Sequence, residues 1–211
     1  MSKQNNGYMG AVVGTLGPAV GYFWNGKSCM RSKPAVVRNP RTEKQQRWRR
    51  IFSAATSLAA EMHEVMDYGL RGEARRHGMT ARNLFISLNR QCITFAGDTP
   101  RVDYMALRVA AGQLEGVSFE APQMSLPLTV EVPFRELEGG NGGNGGDYVY
   151  LYAFAPALER GRLSLPAWRC QQQVVLTLPD SFAGCEVQLY GFVWDRDAMA
   201  SPSVWIGEMT I

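Results

Sequence analysis

The sequence predicts an α+β protein in which an N-terminal β-hairpin and two helices precede an antiparallel immunoglobulin/fibronectin III-like β-sandwich. Three observations predict it. Asn25-Gly26 separates two short β-forming runs, AVGYFW and KSCMRS, and both residues tolerate the positive φ that a two-residue type I′ turn demands. Apolar residues then recur at spacings of three and four: Trp48, Ile51, Phe52, Ala55, Leu58, Ala59, Met62, Val65 and Met66. From about residue 101 the texture changes to seven short β-like runs divided by turn residues, the pattern of a sandwich. The expected division is a basic hairpin and helical region over 1–100 and a β-sandwich domain over 101–211.

A chain of 211 residues buries a core without needing disulfides. No apolar run approaches the roughly 18 residues of a membrane helix, so membrane insertion is not expected. The first residues contain a lysine and an apolar run, but glycines and Pro18 interrupt it and no small-residue cleavage site follows. The expected location is therefore the cytoplasm, with signal-less export or incorporation into a larger particle as other routes. Cys29, Cys92, Cys170 and Cys185 form no C-x-x-C pair, which removes zinc-knuckle and dithiol chemistry and leaves them as small hydrophobes. In an exported protein Cys170 and Cys185 would be candidates to pair across neighbouring strands.

Net charge is +3, unevenly spread. Residues 1–50 hold ten Lys/Arg and one acid, Glu43, whereas residues 101–211 hold seven Lys/Arg and thirteen acids. A basic front suits a nucleic-acid surface or docking onto an acidic protein, including a second copy.

The opening hairpin raises a question of identity. Gly21 to Ser28, GYFWNGKS, satisfies the phosphate-loop pattern G-x-x-x-x-G-K-[ST]. That loop must wrap its amides around phosphates and launch a helix from its Lys-Ser. Here Tyr22, Phe23 and Trp24 fill the loop with strand formers, and Pro34 stops any helix soon after Lys27. The hairpin reading sets Trp24 opposite Lys27, Tyr22 opposite Cys29 and Val20 opposite Arg31 on one face, and a ribbon this small must pack against something.

Asn39-Pro40-Arg41-Thr42 introduces the first helix, with Thr42 and Gln45 in capping-box positions, and the apolar stripe carries it to about Tyr68. Lys44, Arg47, Arg49 and Arg50 crowd its start and Glu61, Glu64 and Asp67 its end, the reverse of what the helix dipole favours. An anion or an acidic protein surface is expected to compensate, or else the basic end is simply solvated. GLRGEARRHGM reads as a connector, and a second helix from Thr80 carries Leu84, Phe85, Leu88 and Cys92.

The β-like runs are VDYMALRVA, LPLTVEVPF, DYVYLYAFA, RLSLPAW, QQVVLTLP, CEVQLYGFVW and SVWIGEMTI, with ELEGGNGGNGGD over 136–147 as a flexible insertion. Tyr148, Tyr150, Tyr152 and Phe154 share one face of their strand, and Tyr190, Phe192 and Trp194 share one face of another. Either these aromatics fill the sandwich core, or the aliphatic faces around Val149, Leu151, Val187 and Leu189 do and the aromatics form an exposed glycan-binding platform.

Catalytic patterns are missing from the sequence. His63 and His77 stand outside any metal-ligand spacing apart from Glu64 and Asp67 beside His63, which lies at the border of the apolar stripe and reads as a solvent-flank histidine rather than a ligand or general base. No G-x-S-x-G, H-E-x-x-H or dinucleotide fingerprint occurs. No catalytic residue, cofactor or metal is therefore expected.

The segments GYFWNGKSCMRSKPAVVRNPRTEKQQRWRRIF and EVQLYGFVWDRDAMASPSVWIGEMTI resemble the two ends of an uncharacterised bacterial family, known mainly from Bacteroidetes as a domain of unknown function. The shared signature is a Gly-rich start, an aromatic strand, a G-K turn, M-R-S-x-P and N-P-R-T-x-x-Q, with a closing S-x-V-W-x-G strand. Trp48 and the extra arginines depart from the family's helix, as does the Gly-Asn insertion. The resemblance implies the architecture and carries no activity.

The leading expectation is a non-enzymatic structural or interaction protein that assembles with itself or a protein partner. Its contact residues are Tyr22, Phe23, Trp24, Lys27, Arg31, Lys44, Arg47, Arg49 and Arg50. A nucleic-acid-associated protein using Lys27, Arg31, Lys33, Arg38, Arg41, Lys44, Arg47, Arg49 and Arg50 against phosphates is the alternative, and an aromatic glycan-binding module the third reading.

Overall fold

A computed structural model of the chain describes residues 3–4, 11–36, 41–137 and 143–211. Contacts divide it into compact units Met1–Gln45 and Gln46–Ile211. The change in texture near residue 100 thus falls inside the second unit.

The first unit is an antiparallel sheet in the order β1-β2-β3-β4. Its strands are β1 (Lys3–Gln4), β2 (Val12–Leu16), β3 (Ala19–Trp24) and β4 (Lys27–Ser32). The expected hairpin forms in the expected register, with Val20 opposite Arg31, Tyr22 opposite Cys29 and Trp24 opposite Lys27. Asn25 at φ 49° and Gly26 at φ 75° make its turn, the paired left-handed conformation of type I′. Gly21, the first glycine of the phosphate-loop pattern, serves packing instead: a Cβ there would run into the Val12 carbonyl of β2. Lys27 and Ser28 open a strand rather than a helix.

Thr42 caps α1 (Glu43–Glu61), accepting a hydrogen bond from the Gln45 amide at 3.4 Å. Asn39-Pro40, expected to introduce this helix, lies outside the described residues. The long stripe does not make one helix. α1 breaks at Met62, beside which the His63 ring nitrogen takes the Ala60 carbonyl at 3.0 Å, and α2 (His63–Gly69) follows. The expected connector is also helical. α3 (Arg71–Arg76) buries Gly72 and Ala74, and Gly72 is there for closeness, since a Cβ would meet the Ala198 carbonyl oxygen. α4 (Ala81–Asn89) starts as expected at Thr80, whose hydroxyl accepts from the Asn83 amide at 3.2 Å.

A hairpin of β5 (Ile93–Ala96) and β6 (Thr99–Val102) precedes the point where strands were expected. VDYMALRVA, read as a strand, is instead mostly irregular, and it lays Leu107, Val109 and Ala110 into the core beside the helices. Its backbone is held by tertiary bonds: buried Asn89 pairs with both the Arg108 amide and carbonyl, and Ser203 accepts from the Val109 amide.

β7 (Val117–Phe119) and β8 (Gln123–Leu126) form in a stretch where no strand was expected, and the six remaining runs form strands as expected: β9 (Thr129–Glu136), β10 (Tyr148–Ala155), β11 (Arg160–Leu163), β12 (Ala167–Trp168), β13 (Gln173–Thr177), β14 (Glu186–Trp194) and β15 (Val204–Thr210). β11-β10-β14-β15 make one antiparallel sheet, with β12 beside β10, and β13-β9-β7 make another, with β8 beside β9.

The sequence posed a choice between an aromatic and an aliphatic core, and both are realised. Val149, Leu151, Ala153, Val187, Leu189 and Val193 pack against Val130, Val132, Phe134, Val174 and Leu176 of the facing sheet. Tyr150, Tyr152, Phe154, Tyr190 and Phe192 pack on the other side against Leu58, Met62, Val65, Leu70 and Phe85 of the helical layer. The β10–β14 sheet is thus covered on both faces, which explains why its strands lack the polar alternation of a half-exposed sheet. Tyr150 and Tyr152 are buried, so the face a glycan platform needs in solvent lies in the core. Tyr148 is half-buried, its ring centroid 4.7 Å from that of Trp168 and 5.9 Å from that of Trp194.

Candidate interaction surface

The nine residues singled out from the sequence divide between the two units: Tyr22, Phe23, Trp24, Lys27, Arg31 and Lys44 in the first, Arg47, Arg49 and Arg50 in the second. On the ribbon, alternation sends Tyr22 and Trp24 to one face and Phe23 to the other. Their exposures are 39 %, 51 % and 67 % for Tyr22, Phe23 and Trp24. Lys27 and Arg31 are exposed beside them. Val20, Tyr22 and Arg31 line a shallow cleft of about 270 Å³ on the Tyr22–Trp24 face. Such a surface offers ring area for apolar contact and cations for an acidic partner.

The basic start of α1 is exposed throughout residues 41–50. Arg50, however, is compensated from within the chain. Its guanidinium donates to the Gly97 carbonyl at 2.8 Å, lies 3.0 Å from the Asp98 carboxylate and stacks 4.4 Å over the Phe95 ring. The turn of the β5–β6 hairpin therefore supplies part of the counter-charge expected from outside. Both partners of this ion pair face water, so its contribution is small, about 0–1 kcal/mol.

The apolar stripe of α1 is not wholly internal. Ile51, Ala55, Leu58 and Ala59 are buried, whereas Trp48 is 50 % and Phe52 60 % exposed. The signal available in the sequence was position, since Phe52 lies at the margin of the stripe and Trp48 one turn before its first buried residue, Ile51. His63 is exposed, as expected of a flanking histidine, and His77 hydrogen-bonds Glu73 at 3.0 Å. The four cysteines are unpaired. Among the described residues no helix is long and apolar enough to cross a membrane.

A second polar constellation had no sequence signal. Arg169, fully buried after β12, donates Nε to both carboxylate oxygens of Glu136 at 2.8 and 3.0 Å. Its terminal nitrogens reach the Glu115 carbonyl at 3.0 Å and the Gly116 carbonyl at 3.1 Å, and Asp147 Oδ2 lies 3.7 Å away. The hydrogen bond from Arg169 holds the Glu136 carboxyl below its ordinary range against the opposing effect of burial. Burial pushes the Asp147 carboxyl up, with Arg169 opposing. Because three separate segments, at Glu115–Gly116, Glu136 and Asp147, converge on one guanidinium, the group acts as an internal clamp.

Fold and surface together define a mixed α+β protein that carries a basic aromatic ribbon at its N-terminus. The chain belongs to a family of unknown function, DUF6266, which matches residues 10–207. Comparison with curated proteins returns no match.

Proposed function

We propose that this is a non-enzymatic structural or interaction protein that assembles, with itself or with a protein partner, through its basic and apolar N-terminal arm. The observation that carries this reading is the run Tyr22-Phe23-Trp24, three adjacent large aromatics exposed on both faces of β3. Burying a large apolar side chain is worth roughly 1.5–3 kcal/mol, so three half-exposed rings leave several kcal/mol to be gained at an interface. The sheets that follow serve as a rigid body. Their two facing antiparallel layers and short, evenly spaced strands support an immunoglobulin or fibronectin III-like character. The test is sedimentation velocity and light scattering on the full-length protein and on Phe23→Ser/Trp24→Ser. Assembly that disappears in the variant while the thermal transition is retained supports the proposal; a strictly monomeric wild type with no partner recovered, or assembly indifferent to the variant, refutes it.

The charge distribution favours a second reading, binding of nucleic acid through Lys27, Arg31, Lys33, Arg41, Lys44, Arg47, Arg49 and Arg50. Arg38, also expected to take part, lies outside the described residues. Several phosphate contacts would make affinity fall steeply with salt, whereas apolar docking would not.

A further inference from the structure

We propose that the groove between α1 and α4 is a docking site for an acidic amphipathic helix of a protein partner. The groove holds about 870 Å³, and its apolar surface comes from Trp48, Ile51, Phe52 and Ile86. Small polar side chains, including Ser53, Ser57 and Ser87, complete it and leave room for close backbone approach. Arg49 and Arg90 rim it. The charge is one-sided: Arg49 and Arg90 are the charged residues among those lining the groove, and no carboxylate is among them. Walls drawn from two helices, an apolar floor and a cationic rim are what an incoming helix with leucine-like anchors on one face and carboxylates along its flanks would match. The nine residues of α4 are about 14 Å long, so roughly three turns of a partner helix cover it.

The occupant is a different protein rather than a second copy. Residues 1–42 carry six Lys/Arg and no acid, so the chain's own ribbon repeats the charge of the groove. Its acidic helical stretch, Glu61 to Asp67, keeps Met62, Val65 and Met66 in the core and has no apolar face to offer. Nucleic acid would be served by the arginines but not by the aliphatic floor of Ile51 and Ile86.

The experiment selects ligands without presupposing one. A random display library of peptides about 16 residues long, enough for four helical turns, is panned against the full-length protein and counter-selected on full-length Trp48→Ser/Phe52→Ser. Both positions are half-exposed, so the variant is expected to keep its thermal transition. Ser87→Trp, at an exposed position lining the groove, fills it from the other wall and serves as a second variant should the first be unstable. Enriched peptides should be net negative with apolar residues three and four apart, and labelled copies should lose at least about tenfold in affinity, by fluorescence anisotropy, in either groove variant. Phe23→Ser/Trp24→Ser should bind them unchanged, which separates this site from the proposed N-terminal interface. Lack of enrichment, neutral or basic winners, or affinity indifferent to both groove variants overturns the proposal. So does a poly-dT oligonucleotide whose binding depends on the groove while peptides fail to bind, or a dimer dissolved by the groove variants.

Discussion

Replacing Arg169 with methionine keeps the aliphatic stem and removes every donor. In the native protein the guanidinium is fully buried and satisfies Glu136, two backbone carbonyls and, at 3.7 Å, Asp147. The two carbonyls each lose a hydrogen bond, about 1 kcal/mol apiece. Asp147, itself buried, is left as an uncompensated charge, and breaking such a pair costs about 3–5 kcal/mol. Glu136 is half-exposed and rehydrates, which places the net loss near the lower end, about 3–4 kcal/mol. For a protein of this size each kcal/mol shifts Tm by about 2–4 °C, so scanning calorimetry at neutral pH should show a fall of roughly 6–16 °C. Asp147→Asn added to the variant should restore part of it, because a neutral amide no longer needs the cation. The pH dependence follows from the two carboxyls. Glu136, with its folded pKa depressed, stabilises fully above the ordinary carboxylate range and loses that contribution as pH falls through the lowered value. Asp147, with its folded pKa raised, contributes in the opposite sense, stabilising at low pH and losing this as pH rises through the raised value. The gap between wild type and Arg169→Met should therefore close in acid. A loss below about 1 kcal/mol at neutral pH, or a gap that widens in acid, would show that the clamp reasoning is wrong.

Gly72→Ala should destabilise by about 1–3 kcal/mol in urea titration although alanine is the better helix former, because its methyl meets the Ala198 carbonyl; an unchanged or raised midpoint contradicts the close approach. A fragment of residues 101–211 should be insoluble or bind hydrophobic dyes, since it strips the helices from Tyr150, Tyr152, Phe154, Tyr190 and Phe192; a soluble, cooperatively melting fragment would disprove the shared core. Burial first, then neighbouring Tyr68 and Tyr148, pushes the Tyr150 phenol up to about 12. Alkaline ultraviolet titration should show it ionising late and stability falling as pH rises through that range, and Tyr150→Phe should remove that step. Titration calorimetry with ATP and magnesium should give no heat that Lys27→Ala abolishes, because Lys27 sits in a strand.

Local chemistry was the legible part of this sequence. The Asn25-Gly26 turn, the Thr80 cap and six of the seven β-like runs announce themselves within a few residues, and each forms at its expected place. The misreadings share a cause. Gly72 looks like a flexible connector until the carbonyl of Ala198, in the loop between β14 and β15, is known to lie against it. VDYMALRVA alternates like a strand, but its partners are side chains such as Asn89 and Ser203 rather than a neighbouring ladder. The exposure of Trp48 and Phe52 is likewise a tertiary fact, because a helical stripe says which residues share a face and not how wide a neighbour covers it. Arg169 left no trace at all: its three partner segments come together only in three dimensions.

The doubly covered sheet also sets a timetable for folding. β10 pairs with β14 along most of its length, yet thirty residues of chain separate Ala155 from Glu186. The helices are synthesised long before the aromatic face they cover can exist, because that face depends on β14, made about a hundred residues after α4. Tyr190 donates to the Tyr104 carbonyl across 86 positions, and the Val109 amide bonds Ser203 across 94. Loop closures of this span come before their reward in contacts. The Gln46–Ile211 unit must therefore fold late and as a whole, and in the interval before β14 arrives the helical layer and β10 are the surfaces a chaperone would have to shield.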